Sequence, residues 1–241
     1  MAAKDQVKAL LFDVFGTVVD WRQSVIRELS AFGNARGLSV DWARFADEWR
    51  GLYQPAMEEV RAGRRAWTIL DDLHRESLIT LLERHGVKGL AAHEVEHLNR
   101  IWHRLDPWPD SVEGLIRLKR RYIIGTLSNG NTGLLVRMAK RALLPWDVIL
   151  GAEAARAYKP MPECYQRNAA LLNLEPQEVM LVAAHNDDLA AAQSVGYRTA
   201  FVLRPVEYGP GQTKDVAATR DWDVITDSFT GVADAMGCPR R

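Results

Sequence analysis

Apolar residues follow two different patterns along this chain. The first, Val7–Val14, is a mostly apolar run of strand length, and Gly16 just beyond it permits a tight turn. Over residues 21–105 the apolar residues instead recur at spacings of three and four, with charged residues between them. The beginning of the chain therefore predicts one buried strand followed by a block of helices.

Within that block, Gly63 and Gly86 are typical of helix ends. The predicted helices are Gln23–Arg36, Asp41–Ala62, Thr68–Arg84 and Ala91–Arg104.

The pattern changes at the rigid turn sequence that begins with Asp106 and Pro107. Beyond it, short apolar runs alternate with helical segments. The predicted strands are Tyr122–Leu127, Val148–Leu150, Val179–Ala183 and Thr199–Leu203. The predicted helices are Ser111–Arg121, Gly133–Leu143, Glu163–Leu172 and Asp188–Val195.

This alternation is typical of an α/β protein with a doubly wound, mostly parallel, Rossmann-like sheet. The first strand should join that sheet, so the helical block would be an insertion in it. We therefore expect a core domain of residues 1–20 and 106–241 and an inserted helical cap domain of residues 21–105.

Composition narrows the class of protein. Apolar residues make up 47% of the 241, as in globular proteins, and 31 basic residues balance 31 acidic ones. Zero net charge argues against a nucleic acid or an anionic membrane as partner, and no apolar run approaches the ~20 residues of a membrane span. With two distant cysteines, Cys164 and Cys238, and no signal-peptide apolar region, we expect a cytoplasmic protein without disulfides.

Polar side chains gather where the predicted strands end. Because ligands of open α/β sheets lie beyond the carboxyl ends of the strands, these side chains predict a site. Turn-forming residues also favour such places, but the set combines carboxylates, a lysine, a hydroxyl and an amide. Its members are Asp13, Ser128, Asn129, Lys159, His185, Asn186, Asp187 and Asp188. Asp13 is the candidate catalytic nucleophile.

Four segments resemble the four motifs of the haloacid dehalogenase superfamily. They are Asp13-Val-Phe-Gly-Thr17, Leu127-Ser-Asn-Gly130, Tyr158-Lys-Pro160 and Val182-Ala-Ala-His-Asn-Asp-Asp-Leu189. The resemblance runs in order along nearly the whole chain and implies the core-and-cap fold predicted above.

Most members of that superfamily are magnesium-dependent phosphatases, in which a second aspartate follows the first by two residues. Here that residue is Phe15, which cannot transfer protons, and Ala184 stands where the phosphatases carry an acidic metal ligand. The chain is instead similar to the L-2-haloacid dehalogenase branch. It departs from well-known members at Ala183 and His185, where they have Ser and Asn.

The resemblance implies hydrolysis of short 2-haloalkanoic acids, including haloacetates, without cofactor or metal. Asp13 would attack the carbon bearing the halogen to form an aspartyl ester. Water activated by Asp188 would release a 2-hydroxy acid, and Lys159 would keep Asp13 ionised. A homodimer is one of the assemblies that the resemblance leaves open.

The resemblance also assigns residues to the substrate. Ser128, with backbone amides near Thr17 or Asn129, would bind the substrate carboxylate, and Arg50 would reach from the cap toward the halide. The remaining members of the expected substrate site are Phe15, Asn129, Trp67, Tyr165 and His185. For Trp67, Tyr165 and His185, packing or a structural hydrogen bond remains an equal alternative.

Other functions stay open at this point: a magnesium-dependent phosphatase, a hydrolase of small non-halogenated acids, and a non-catalytic binding protein. A further motif, His93-Glu-Val-Glu-His97, matches the zinc-protease pattern, with His103 six residues on. On a continuous helix His103 points ~120° away from His97, so the three groups would not share one metal. We expect an ordinary polar cap helix.

Overall fold

The structure, a computed structural model, describes residues 6–238 and residue 240. Its strands are β1 (Ala9–Phe12), β2 (Val19–Asp20), β3 (Asp106–Pro107), β4 (Ile123–Thr126), β5 (Val179–Ala183), β6 (Arg198–Val202) and β7 (Val224–Thr226). Five of them form one parallel sheet in the order β4-β1-β5-β6-β7, and β2 pairs with β3 in a separate antiparallel ladder. The predicted α/β class with a parallel, doubly wound sheet is confirmed. The remainder of the predicted core segments, residues 1–5, 239 and 241, lies outside the described residues.

The helices between β2 and β3 are α1 (Trp21–Arg36), α2 (Trp42–Gly51), α3 (Tyr53–Arg61), α4 (Leu70–Arg84) and α5 (Ala92–Asn99), followed by a 3₁₀ turn, Arg100–His103. Those that follow β3 are α6 (Ser111–Lys119), α7 (Thr132–Ala142), α8 (Ala152–Ala155), α9 (Pro162–Leu171), the 3₁₀ turn Pro176–Glu178, α10 (Asn186–Ser194) and α11 (Phe229–Ala235). Among the described residues, no helix has both the length and the apolarity to cross a membrane.

The central strand β1 fixes where a ligand can bind. All four of its side chains are buried, and Leu10 lies between Ile124 of β4 and Met180 of β5. Strand β4 lies on one side of β1 and β5 lies on the other, so the connections that lead to these two neighbours diverge from β1 in opposite directions. The crevice at the carboxyl end of β1 is therefore the expected ligand site of an open sheet.

The strands differ from the prediction at the edges of the parallel sheet, and the two-residue strands β2 and β3 are also absent from the prediction. Val148–Leu150 forms no strand: Val148 makes one isolated bridge with Gly125, and Leu150 bonds to the hydroxyl of Thr126 (N–Oγ1 3.0 Å) instead of to a backbone carbonyl. The Thr126 hydroxyl thus takes the place of the backbone carbonyl that would continue the strand pairing at Leu150. The edge strand β7 was not predicted, because it has three residues and its Ile225 is exposed, leaving no apolar run to detect.

The predicted helix Asp41–Ala62 is two helices. Helix α2 ends at Gly51 and α3 begins at Tyr53. Pro55 accounts for the break, because proline has no N–H to donate and its ring clashes with the carbonyl four residues earlier. The break turns α3 toward the core, where several of its side chains line the cavity described below.

An aromatic cluster around His74 forms the interior of the helical segment between β2 and β3, α1 to α5 with the 3₁₀ turn that follows, which we call the cap. The ring of His74 stacks on Trp102 (centroids 4.4 Å apart) and lies 5.9 Å from that of Tyr53. Neither ring nitrogen of His74 meets a hydrogen-bond partner among the described residues. Burial in this apolar setting lowers the pKa of His74 to about 3, so the ring is neutral at neutral pH.

Replacing His74 by phenylalanine should flatten the acid dependence of stability. Because the pKa of His74 is lowered from 6.5 to about 3 on folding, the unfolded chain binds a proton in this range that the folded chain excludes. Between pH 6.5 and about pH 3, each pH unit of acidification should therefore lower the free energy of unfolding by about 1.4 kcal/mol through this group. Urea unfolding between pH 7 and pH 4.5 should show a shallower decline for His74→Phe, and parallel curves would contradict the prediction.

The turn after β1 depends on a glycine for two reasons. Gly16 has φ +86°, a conformation that favours glycine, and its N–H donates to the carbonyl of Val19 (3.0 Å). A Cβ on Gly16 would also lie 2.0 Å from Oε1 of Glu207, which is buried against this turn. The loop after β6, which carries Glu207, is thus packed directly on the turn after β1.

Substituting Gly16 by alanine should destabilise the protein by more than its backbone conformation alone requires. A matched control is Gly37→Ala, since Gly37 has φ +64° and no atom within 4 Å of a new Cβ. The control should cost about 1–2 kcal/mol of unfolding free energy, and Gly16→Ala about 1–3 kcal/mol more from overpacking. Equal losses in denaturant titrations would contradict the contact with Glu207.

Candidate active site

Asp13 directly follows β1 and is held from three sides. Its side chain is almost completely buried, with 6% of the residue exposed. Oδ1 accepts a hydrogen bond from Nζ of Lys159 (2.9 Å), and Oδ2 accepts one from the hydroxyl of Thr17 (2.7 Å). Nδ1 of His185 lies 3.2 Å from the same Oδ2. A carboxylate fixed in this way is oriented for attack by one of its oxygen atoms.

The electrostatics keep Asp13 ionised. Burial by itself would raise the pKa of this carboxyl, but the charge of Lys159 and the hydrogen bond from His185 hold it far below its usual range. For Lys159, burial works to lower the pKa, while Asp13 and Asp188 raise it above its ordinary value. Both groups of the pair are therefore charged at neutral pH.

Asp188 is the second partner of Lys159. Its Oδ2 accepts from Nζ of Lys159 (2.5 Å) and its Oδ1 from the hydroxyl of Tyr165 (2.6 Å). Burial, with Asp188 nearby, raises the pKa of Tyr165, so the phenol keeps the proton that it donates. Tyr165 thus lies beside Asp188 and orients it, one step removed from Asp13.

Two of the expected substrate residues are turned into the protein. The hydroxyl of Thr17, which donates to Asp13, accepts from the backbone N–H of Ala184 (2.9 Å) and so ties the turn after β1 to the end of β5. The hydroxyl of Ser128 accepts from the N–H of Gly130 (3.1 Å), and Ser128 has no exposed surface. The structure places both residues in the framework of the site.

A cavity of about 690 Å³ opens in front of Asp13, between the cap and the carboxyl ends of the strands. The residues that line it come from both parts of the fold. They are Asp13, Phe15, Arg50, Tyr53, Gln54, Glu58, Arg61, Asn129, Lys159, Pro160, Met161, His185, Asp187, Asp188, Tyr208 and Lys214. Of the eight residues expected to bind substrate, four line the cavity: Phe15, Arg50, Asn129 and His185. The other four, Thr17, Ser128, Tyr165 and Trp67, are not among the lining residues.

Arg50 is the cation of the cavity that the protein leaves without a counterion. Its guanidinium lies over the rings of Tyr53 (4.2 Å) and Trp21 (5.4 Å). Among the described residues, no carboxylate lies within salt-bridge distance of Arg50, whereas Lys159 and His185 each face two. An unpaired arginine on an aromatic wall suits an anionic ligand.

Trp67 lies elsewhere. Its ring stacks on Tyr158 (centroids 4.8 Å apart), with the guanidinium of Arg156 5.0 Å from its centroid, and it is not among the residues that line the cavity. Asn129 does line it: its Oδ1 accepts from the backbone N–H of Lys159 (2.8 Å), and its side chain is also hydrogen-bonded to Tyr53, another residue of the cavity wall.

Sequence reasoning missed Glu207. Nε2 of His185 lies 2.9 Å from Oε2 of Glu207, and the other oxygen of Glu207 accepts from the indole N–H of Trp21 (3.0 Å). His185 therefore lies between two carboxylates, those of Glu207 and Asp13. Although burial lowers the pKa of His185, these two charges raise it well above its ordinary value. Glu207 stands in an irregular loop after β6, where no motif or periodicity could indicate its position.

Two buried residues anchor that loop. Arg204 pairs with both carboxylate oxygens of Asp110 (2.8 and 3.0 Å) and donates to the carbonyl of Thr17 (3.0 Å). Asn186 donates to Asp215 (2.8 Å) and accepts from the indole N–H of Trp222 (3.1 Å). The loop is fastened at both ends, which fixes Glu207 against His185.

Two other candidate chemistries find no support in the geometry. In the part of the chain that the structure describes, no group of three or more His, Cys, Asp or Glu side chains could hold a metal, and His103 contacts Asp71 instead of His93 or His97. Cys164 is buried, and burial raises the pKa of its thiol to about 12, so it is not an activated nucleophile.

Comparison with known proteins identifies the family of this chain. The sequence model of the haloacid dehalogenase-like hydrolases matches residues 7–196. The (S)-2-haloacid dehalogenase 4A of Burkholderia cepacia is 30% identical over 240 residues, which cover 95% of this chain and 99% of that protein.

Two solved structures are also similar over nearly their full lengths. One is a defluorinating L-2-haloacid dehalogenase, with 50% identity, a TM-score of 0.94, and coverage of 96% of this chain and 95% of that one. The other is an L-2-haloacid dehalogenase with 45% identity and a TM-score of 0.94, covering 97% of this chain and all of that one. From its fold, its four motifs and these matches, the chain belongs to the haloacid dehalogenase-like hydrolase family.

Proposed function

We propose that this protein is a hydrolytic dehalogenase of short 2-haloalkanoic acids, L-2-haloacids or haloacetates, and that it works through an aspartyl ester without a metal. The observation that carries the proposal is the buried, ionised carboxylate of Asp13, which faces a cavity containing the unpaired cation Arg50. The relatives named as (S)-2-haloacid and L-2-haloacid dehalogenases support it.

In the first step an oxygen of Asp13 attacks the carbon that bears the halogen, from the side opposite to the halogen. The C–O bond forms as the carbon–halogen bond breaks, and the halide leaves with the bonding electron pair. Arg50 and the amide of Asn129 supply N–H donors in the cavity for the anionic groups of substrate and halide. Phe15 puts a phenyl ring where a phosphatase needs a proton-transferring carboxylate.

In the second step water hydrolyses the ester, and we assign its activation to His185. This differs from the expectation that Asp188 activates the water, because both oxygens of Asp188 already accept hydrogen bonds from Lys159 and Tyr165. Nδ1 of His185, in contrast, lies 3.2 Å from Oδ2 of Asp13. Esterification removes the charge of Asp13 and so weakens the hold of His185 on its Nδ1 proton.

The proton balance closes over the cycle. After ester formation His185 releases the Nδ1 proton to solvent, and its freed nitrogen then accepts a proton from the attacking water. Glu207 holds the ring and stabilises the imidazolium that results. When the ester C–O bond breaks, the leaving oxygen takes the proton of the hydroxyl that was added, which yields the 2-hydroxy acid and regenerates the Asp13 carboxylate. One proton and one halide are thus released per turnover.

The activity test is release of halide from chloro-, bromo- and fluoroacetate and from both enantiomers of 2-chloropropionate. We expect release with at least one of them, unchanged by chelator, and none from p-nitrophenyl phosphate. Asp13→Asn should lose the activity, whereas Asp221→Asn, an exposed carboxylate remote from the cavity lining, should retain it. Phosphate release that disappears with chelator would instead identify a metal-dependent phosphatase.

Exchanging His185 for glutamine should separate the two steps. Attack by Asp13 should continue, while loss of the general base should slow ester hydrolysis by about 10²-fold or more. The ester should therefore accumulate on the peptide containing Asp13, where mass spectrometry detects the added carboxyalkyl group. Accumulation in Asp188→Asn and not in His185→Gln would assign water activation to Asp188.

A further inference from the structure

At α3, at α4 and between them, the cap contacts two of the core loops that carry the site: the loop of Tyr158 and Lys159, and the loop that follows β4. Arg61, at the end of α3, donates to the carbonyl of Lys159 (3.0 Å). The hydroxyl of Tyr158 donates to the carbonyl of Thr68 (2.7 Å). A third connection, through Asp71 at the start of α4, reaches the loop that follows β4. The cap is thus fastened to the catalytic loops themselves and not only to the surface of the core.

The connection through Asp71 is reciprocal. The backbone N–H of Asp71 donates to Oδ1 of Asn131 (3.2 Å), and the side-chain amide of Asn131 donates to Oδ2 of Asp71 (3.0 Å). Asn131 is the residue that precedes α7, is 5% exposed, and follows Asn129 by two residues. A shift of Asn131 would therefore move Asn129, whose side chain lines the cavity and binds the backbone of Lys159.

The remaining polar atoms of Asp71 are also engaged. Its Oδ1 lies 2.9 Å from Nε2 of His103, in the 3₁₀ turn where the chain leaves the cap. Its backbone carbonyl accepts from the amide of Asn99 (3.0 Å). Burial would raise the pKa of Asp71, but the hydrogen bond from His103 holds it below the ordinary value, so the carboxylate is charged.

A structural role at a helix N-terminus does not account for this arrangement. Asp72, in the same first turn of α4, is exposed and supplies the negative charge that the helix dipole favours. Asp71 instead is turned inward, toward a core loop and the end of the cap. Its contacts join three segments that are far apart in the sequence.

We propose that Asp71 is a positioning residue: through Asn131 it holds the loop of Ser128 and Asn129 in register with the cap, and so sets where the substrate lies relative to Asp13. His103 keeps the Asp71 carboxylate in place. The kinetic part of the proposal rests on the proposed dehalogenase function. The structural part, the order of the loop, does not.

The test compares Asp71→Asn with Asp72→Asn. In Asp71→Asn the carboxylate charge is lost and one side-chain oxygen becomes an N–H group, so that either the bond from Asn131 is lost or His103 must present Nε2 as an acceptor. We expect KM for the best haloacid of the screen to rise about tenfold and the rate of ester formation to fall, while Asp72→Asn stays within twofold of the wild type for both.

Swapping the side chains of Asp71 and Asn131 should rescue the defect of Asp71→Asn. The double variant Asp71→Asn/Asn131→Asp restores a carboxylate–amide pair with its polarity reversed. It should recover most of the KM lost in Asp71→Asn. If the swap performs no better than the single variant, the reciprocal pair is not what positions the loop.

Hydrogen exchange of the amides of residues 128–132 supplies a readout that needs no substrate. Exchange should accelerate in Asp71→Asn, and not in Asp72→Asn or the double variant. Unchanged exchange overturns the positioning role, even if the wild type releases halide. If exchange accelerates in Asp71→Asn but the wild-type protein releases no halide, the loop contact is established and only the dehalogenase proposal is overturned.

Discussion

The buried ion pair of Lys159 and Asp13 is the interaction on which the site depends. Removing a carboxylate from water is costly unless a cation and hydrogen bonds compensate for it, and Asp13 receives both. Lys159 in turn needs Asp188, which is oriented by Tyr165. Each member therefore requires the next, and the loops that carry them are held together by charge as well as by packing.

The topology of the sheet brings these charges to one edge. Because β1 lies between β4 and β5, the loops beyond the three strands meet around Asp13, and the cap covers the opening. A second layer of contacts then fixes the loops: Thr17 joins the ends of β1 and β5, Glu207 holds His185, and Asp71 holds Asn131. The walls of the cavity are therefore hydrogen-bonded to one another as well as packed.

Much of the fold could be predicted from the sequence, and the exceptions have physical causes. Periodicity reports burial, so the buried strands and the amphipathic helices were detected, whereas the exposed edge strand β7 was not. Val148–Leu150 has the composition of a strand, but the Thr126 hydroxyl takes its ladder bond. Pro55 divides a helix whose apolar pattern continues across the break.

For the site, the strand ends and the motifs predicted which residues gather, but not which way each one faces. Asp13, Lys159 and Asp188 lie together, and Arg50 reaches the cavity from the cap, as the residue pattern and the resemblance implied. Ser128 is turned inward and Trp67 packs on Tyr158, because the local hydrogen bond of one and the stacking of the other depend on neighbours that the sequence does not identify.

The sequence by itself thus determined the alternation of strands and helices, the carboxylate at the end of the first strand, and the phenyl ring of Phe15 that distinguishes it from a phosphatase site. These features are local, and short-range spacing is enough to specify them. Only the tertiary structure decided that Glu207 meets His185 and that Asp71 meets Asn131. The reason is that such pairs depend on the paths of irregular loops and on the docking of the cap, which arise from many distant contacts at once.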